Sequence, residues 1–248
     1  MGLRDFFEKN DVVALAFSGG VDSSYLLYAA HKYAKRVCAY YVKSEFQPQF
    51  ELDDAKKLAE QLGADIKVIN LSVLGFDEVT ANPYNRCYFC KRRIMSSIME
   101  AAKADGFEVL IEGTNASDEV SDRPGMKALT ELKILSPLRD CGITKDRVRE
   151  LSKEAGLFTW EKPSYACLAT RIAQGVHITG EALSITEQAE GELMRMGFSD
   201  FRIRMVGKSA KIQVNGAQFD KLIAEREAVC KALKKYYDSV MLDLETRG

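Results

Sequence analysis

Two sets of residues in this sequence have the types and spacing to do chemistry. The first is Ala16-Phe17-Ser18-Gly19-Gly20-Val21-Asp22-Ser23-Ser24, a glycine pair in a hydroxyl-rich run with one carboxylate. Glycines admit close approach of the backbone, and hydroxyls beside the unpaired N–H groups of a helix start suit an anion. Asp22 is out of place in a simple anion nest, but a carboxylate beside phosphates makes sense if Mg²⁺ lies between them. The second set is Cys87, Cys90 and Cys167. The CxxC pair falls at a helix entrance beside Arg86, Lys91 and Arg92, where thiolates are favoured. Alone it fits zinc, a redox dithiol or an iron–sulfur cluster. A third cysteine favours a four-iron, four-sulfur cluster with one iron open to an additional sulfur atom. Structural zinc would want a fourth ligand, and only His31 and His177 exist to supply one; both read as surface or packing residues.

The elements that must position these groups follow from hydrophobic spacing. Val12, Val13, Leu15 and Phe17 read as a buried strand and Tyr25 to Ala30 as the start of a helical run, so the glycines lie in the turn between them. Strands are expected at about 12–17, 36–42, 65–71, 108–113 and 134–138, and helices near 23–34, 50–62, 89–104 and 144–155. This alternation predicts an α/β fold, a parallel sheet with helices on both faces and ligands beyond the strand C-termini. Val42-Lys43-Ser44 and Glu112-Gly113-Thr114-Asn115 leave strands at that same edge. The polar loop from Ser117 to Gly125 carries Asp118, a candidate second metal ligand, and Arg123, a candidate anion clamp.

From about residue 175 the rhythm changes. A helix running to Met196, strands at about 201–206 and 210–214, a helix at 217–236 and a strand at 239–244 predict a small α+β domain, giving domains 1–174 and 175–248. Arg202 and Arg204 share one strand face, with Lys211 and Gln213 on the hairpin partner. That set could bind a phosphate, although a solvated sheet face would look similar.

At 248 residues and 46% hydrophobic, the chain can bury a proper core. No apolar run approaches the length of a membrane span, and the start MGLRDFFEKND is too charged for a signal peptide, so a cytoplasmic location is expected. A formal charge of −1 argues against a broad nucleic-acid surface. Cys38 and Cys230 read as core thiols, and Cys141 is assigned no role.

SGGVDSS lacks the lysine of the Walker A loop and the spacing of the dinucleotide fingerprint. It closely resembles the PP-loop of the ATP pyrophosphatases, which split ATP between its α and β phosphates. Together with NPYNRCYFCK, EGTNASDEVSDRPG, Ser136-Pro137-Leu138 and KPSYACLATRI, it makes nearly the whole chain similar to the LarE family of ATP-dependent sulfur transferases. The resemblance implies a Rossmann-like, adenine nucleotide alpha hydrolase-like fold. It implies ATP and Mg²⁺ at Ala16, Ser18, Gly19, Gly20, Asp22, Ser23, Ser24, Val42, Gly113 and Arg123, with Asp22 on the metal. The substrate would be a pyridinium dicarboxylate mononucleotide whose phosphate meets Arg202 and Arg204, and whose carboxylate is adenylated and then exchanged for a thiocarboxylate. In one branch of the family the cysteine matching Cys167 is sacrificed as sulfur donor; in the other it joins a CxxC in holding a four-iron, four-sulfur cluster fed by sulfide or another sulfur donor. Cys87, Cys90 and Cys167 imply the cluster branch. The resemblance also implies a place in nickel-pincer nucleotide biosynthesis and a homo-oligomer, commonly a hexamer. Gln213 departs from the family's usual glutamate. The alternatives are a tRNA thiolation enzyme with the same loop, an ammonia-dependent amide synthetase and an ATP-binding sensor.

Overall fold

The computed structural model describes residues 2–118 and 124–247. The chain forms two compact units, one of residues 1–73 and 85–162, the other of 74–84 and 163–248. The boundary expected near 174 came from a change in the rhythm of the elements; the contacts divide after Lys162, and the segment 74–84 groups with the second unit.

In chain order the elements begin with α1 (Leu3–Lys9), β1 (Val12–Ala16), α2 (Val21–Tyr33), β2 (Arg36–Lys43), α3 (Gln49–Leu62) and β3 (Ile66–Asn70). There follow α4 (Asp77–Thr80), α5 (Arg86–Ala104), β4 (Val109–Glu112), α6 (Pro124–Glu131), α7 (Pro137–Asp140) and α8 (Lys145–Glu154). The second unit adds α9 (Gly180–Arg195), β5 (Arg202–Val206), β6 (Ser209–Gln213), α10 (Phe219–Ala224), α11 (Arg226–Leu233) and β7 (Ser239–Leu242).

The first unit has the expected Rossmann-like form, with four parallel strands in the order β3-β2-β1-β4. Successive side chains of a strand point to opposite faces, and β1 is apolar on both. Val13, Leu15 and Phe17 join Leu26 and Leu27 of α2 and Leu52 and Leu58 of α3 in one core; Ala14 and Ala16 join Met95 and Ile98 of α5 in the other.

The strand expected at 134–138 is not formed. Leu135 makes an isolated parallel bridge to Ile111, and Pro137 then starts α7, since its ring fixes φ and removes the N–H a ladder needs. The helix expected at 217–236 is broken at Glu225 into α10 and α11. Helix α1 went unanticipated because its seven residues are mostly charged, yet Leu3, Phe6 and Phe7 are buried.

The second unit holds an antiparallel β5–β6 hairpin with β7 parallel to β6. Asn82, at φ +53, donates its side-chain amide to the carbonyl of Ala173 at 2.8 Å, and the Ile178 N–H bonds Thr80 O at 2.8 Å, which ties 74–84 into this unit.

Leu15 is fully buried at the centre of the sheet. Leu15→Ala should lower unfolding stability by about 2–5 kcal/mol in urea titrations, and a loss below ~1 kcal/mol would contradict this packing.

Candidate active site

The SGGVDSS turn closes on itself. The Ser18 and Ser23 hydroxyls lie 3.0 Å apart, Ser23 Oγ donates to Gly20 O at 3.1 Å, and the Ser18 N–H donates to Ser23 Oγ at 3.3 Å. Gly20 is the N-cap of α2, and no side chain caps the helix, so the helix start faces the turn without a serine cap. Gly19 has φ +74, and a Cβ there would sit 3.2 Å from Glu51 O and 3.3 Å from Ala55 Cβ. Lys162 braces this packing from the far end of the unit: its ammonium pairs with Asp54 at 2.8 Å and Glu51 at 3.2 Å, and reaches Gly19 O at 3.4 Å. Burial raises the Glu51 carboxyl above its ordinary range while Lys162 opposes the shift.

Beyond the C-terminal ends of β1 and β4 lies a cavity of about 510 Å³, of a size that suits a small-molecule site. Ala16, Ser18, Asp22, Ser23 and Gly113 line it, as do Asp118 and Cys87. The structure therefore brings the glycine-rich turn and one cysteine of the CxxC to a single space. Gly113 is required by close approach, because a Cβ there would fall 2.9 Å from the Ser23 backbone nitrogen. Gly19, Gly20, Ser24 and Val42 are not among the lining residues. Ser24 is fully buried, and its hydroxyl has no hydrogen-bond partner among the described residues; Val42 packs in the core. Arg123 lies outside the described residues.

Three side chains have contacts at the site that the sequence did not assign to them. Lys145, the first residue of α8, places its ammonium 2.5 Å from Asp22 Oδ2, and Asn115 Nδ2 lies 3.3 Å from Oδ1. The positive charge missing from the loop thus arrives from a helix far along the chain. Thr144, which caps α8, was the available sequence signal. Glu112 is buried and braces the β4 exit: it accepts from the Thr114 N–H at 3.0 Å, Thr114 Oγ1 at 2.7 Å and Ser136 Oγ at 2.5 Å. Lys91, one turn beyond Cys87, also lines the cavity.

All six cysteines carry thiols rather than disulfides. Cys87 is exposed and Cys90 half-buried, three residues apart within the first turns of α5 and so on one helical face. The Arg86 guanidinium lies 3.6 Å from Cys87 Sγ. Cys167, half-buried, belongs to the second unit, where it precedes a 3₁₀ turn. Among the described residues, no group of three or more His, Cys, Asp or Glu side chains is gathered as a metal site. As donors, the thiols of Cys87 and Cys90 suit a soft metal better than an oxygen-liganded ion.

In the second unit the hairpin register pairs Arg202 with Gln213 and Arg204 with Lys211, the alignment expected for a basic face. Their guanidinium groups are engaged by the chain itself. Arg202 is buried and donates to Phe201 O at 2.7 Å and Ser164 O at 2.6 Å; Arg204 donates to Thr170 O at 3.0 Å. Burial, then Arg171 and Arg247, lower Arg202 to about 10, so it stays charged at neutral pH in a surplus of positive charge.

The sheet order and the glycine turn define a PP-loop nucleotide-binding fold. A family model for queuosine biosynthesis protein QueC matches residues 12–82. An uncharacterized protein of Synechocystis is 34% identical over 90% of this chain and 84% of its own length. Pyridinium-3,5-bisthiocarboxylic acid mononucleotide synthase of Lactiplantibacillus plantarum is 31% identical over 94% of this chain and 85% of its own. An uncharacterized protein of Methanocaldococcus jannaschii is 29% identical over 96% and 91%. The chain belongs to the LarE family of ATP-dependent sulfur transferases.

Gly113→Ala should push the β4 exit away from the start of α2 and weaken ATP binding at least tenfold by calorimetry. Unchanged affinity would contradict the close approach.

Proposed function

We propose that the protein adenylates a carboxylate of a pyridinium dicarboxylate mononucleotide with ATP·Mg²⁺ and converts it to a thiocarboxylate. The observation that carries this reading is the shared cavity, lined by Ser18, Asp22, Ser23 and Gly113 together with Cys87.

A carboxylate at neutral pH is a poor electrophile, which is why ATP is needed. Its oxygen attacks the α-phosphorus, the bond to the bridging oxygen breaks, and pyrophosphate leaves with an acyl-adenylate formed. The start of α2, the Ser18 and Ser23 hydroxyls and Lys145 stabilise the charge on the departing pyrophosphate. Asp22 and Asp118, both at the cavity, would hold Mg²⁺ against the phosphates. A sulfur nucleophile then replaces AMP at the acyl carbon, giving the thiocarboxylate. Cys87, Cys90 and Cys167 would hold a four-iron, four-sulfur cluster, which would supply the sulfur nucleophile. Arg202 and Arg204 would receive the substrate phosphate, supported by their shared strand face. None of the helices is long and apolar enough to cross a membrane among the described residues, and the family resemblance supports a cytoplasmic homo-oligomer.

Pyrophosphate release from ATP should depend on the pyridinium dicarboxylate mononucleotide; dependence on tRNA or ammonia instead, or no release, would overturn the reading. After anaerobic purification and turnover we expect bound iron and sulfide with Cys167 intact. Absence of iron with a loss of about 34 Da at Cys167, the mass of H₂S, would replace the cluster by sacrifice of that residue.

Lys145→Gln should slow pyrophosphate formation by about 10²-fold, ~2.7 kcal/mol of transition-state stabilisation, with thermal stability little changed. A rate within twofold of the parent would remove Lys145 from the site.

A further inference from the structure

Arg171 is 1% exposed, which is unusual for a guanidinium and calls for a partner at every donor. Nε donates to Glu190 Oε1 at 2.7 Å and Nη2 to Glu190 Oε2 at 3.1 Å, a fork on a carboxylate that is also buried. Glu190 is held in turn by the Tyr165 hydroxyl at 2.5 Å and the Ile203 N–H at 2.9 Å. Burial, reinforced by Glu190, raises the Tyr165 phenol well above its ordinary value, so it remains a donor.

The remaining nitrogen, Nη1, donates to Ala166 O at 3.0 Å and to Thr170 Oγ1 at 2.7 Å. Thr170 Oγ1 donates in turn to Cys167 O at 2.9 Å, and the Thr170 N–H donates to the same carbonyl at 3.0 Å. Arg202 holds Ser164 O and Arg204 holds Thr170 O. Three guanidinium groups thus grip the backbone on both sides of Cys167, all within the second unit.

A buried ion pair rarely stabilises a fold more than apolar packing of the same volume. What this pair achieves that apolar residues could not is to fix two carbonyls, one belonging to Cys167 and one to the residue before it. We propose that Arg171, acting through Thr170, is a positioning residue that sets Cys167 for sulfur transfer. The inference rests on the role assigned to Cys167 above. A misplacement of about 1 Å at a reacting group is enough to cost 10²-fold in rate, so a backbone clamp one residue from the thiol acts directly on the transfer step.

The test separates this step from adenylation. Removing Arg171 would leave Glu190 buried without its counter-charge and endanger folding, so the hydroxyl link is changed instead. Thr170→Val keeps the shape and deletes the hydrogen bond donated to Cys167 O; Thr170→Ser keeps the hydroxyl. We expect Thr170→Val to slow thiocarboxylate formation at least tenfold, while substrate-dependent pyrophosphate formation and the KM for ATP stay within twofold, and Thr170→Ser to restore the rate. In the metal-free protein, iodoacetamide should alkylate Cys167 several-fold faster in Thr170→Val, with Cys230 unchanged as an internal reference. Equal loss of both steps, loss of neither, or unchanged alkylation of Cys167 would overturn the proposal. Should the parent protein form no pyrophosphate with the mononucleotide, the functional reading fails on its own, and the alkylation comparison still decides whether Thr170 restrains Cys167.

Discussion

The first unit depends on the order of its strands. Because β2 lies on one side of β1 and β4 on the other, the connections leaving β1 and β4 diverge and leave a crevice at their C-terminal ends. The crevice works only if its walls approach closely. Gly113 allows this on one side, since no side chain fits between it and the Ser23 backbone; Gly19, seated against Glu51 and Ala55, allows it on the other. An apolar β1 is packed between two cores, and the turn continues directly from it.

Charge is arranged around this geometry from several parts of the chain. The loop supplies hydroxyls, a helix start and one carboxylate, and α8 contributes the cation through Lys145. Lys162 fixes the back of the loop to α3. In the second unit, by contrast, arginines act on backbone carbonyls around Cys167, with Glu190 as the buried counter-charge. In the proposed reaction, adenylation and sulfur transfer would draw on separate sets of supporting contacts, the first around the cavity and the second on a buried clamp.

Much of this was legible in the residues because it rests on local rules. The β1–turn–α2 unit is written in an apolar run, two glycines and a helical repeat, and the α5 start lies at the CxxC within a few residues of expectation. The strand expected at 134–138 failed because an apolar pattern says nothing of the ladder, and Pro137 ends it after one bridge. Lys145 and Glu112 were hidden for a different reason: their roles depend on contacts with residues distant in sequence, Asp22 and Ser136. Alternation correctly put Arg202 and Arg204 on one face, but could not reveal that Arg202 is buried against Ser164 O. The segment 74–84 shows no change of composition, and only the bonds of Thr80 and Asn82 to residues 173–178 assign it to the second unit.

The central claim is that a substrate carboxylate attacks the α-phosphorus of ATP in the cavity beyond β1. It is tested most directly by turnover with carboxylate-¹⁸O-labelled pyridinium dicarboxylate mononucleotide and mass analysis of the products. The account predicts one ¹⁸O atom in the AMP formed with each thiocarboxylate, and unlabelled pyrophosphate. Label in orthophosphate, or thiocarboxylate formed alongside unlabelled AMP, would contradict it.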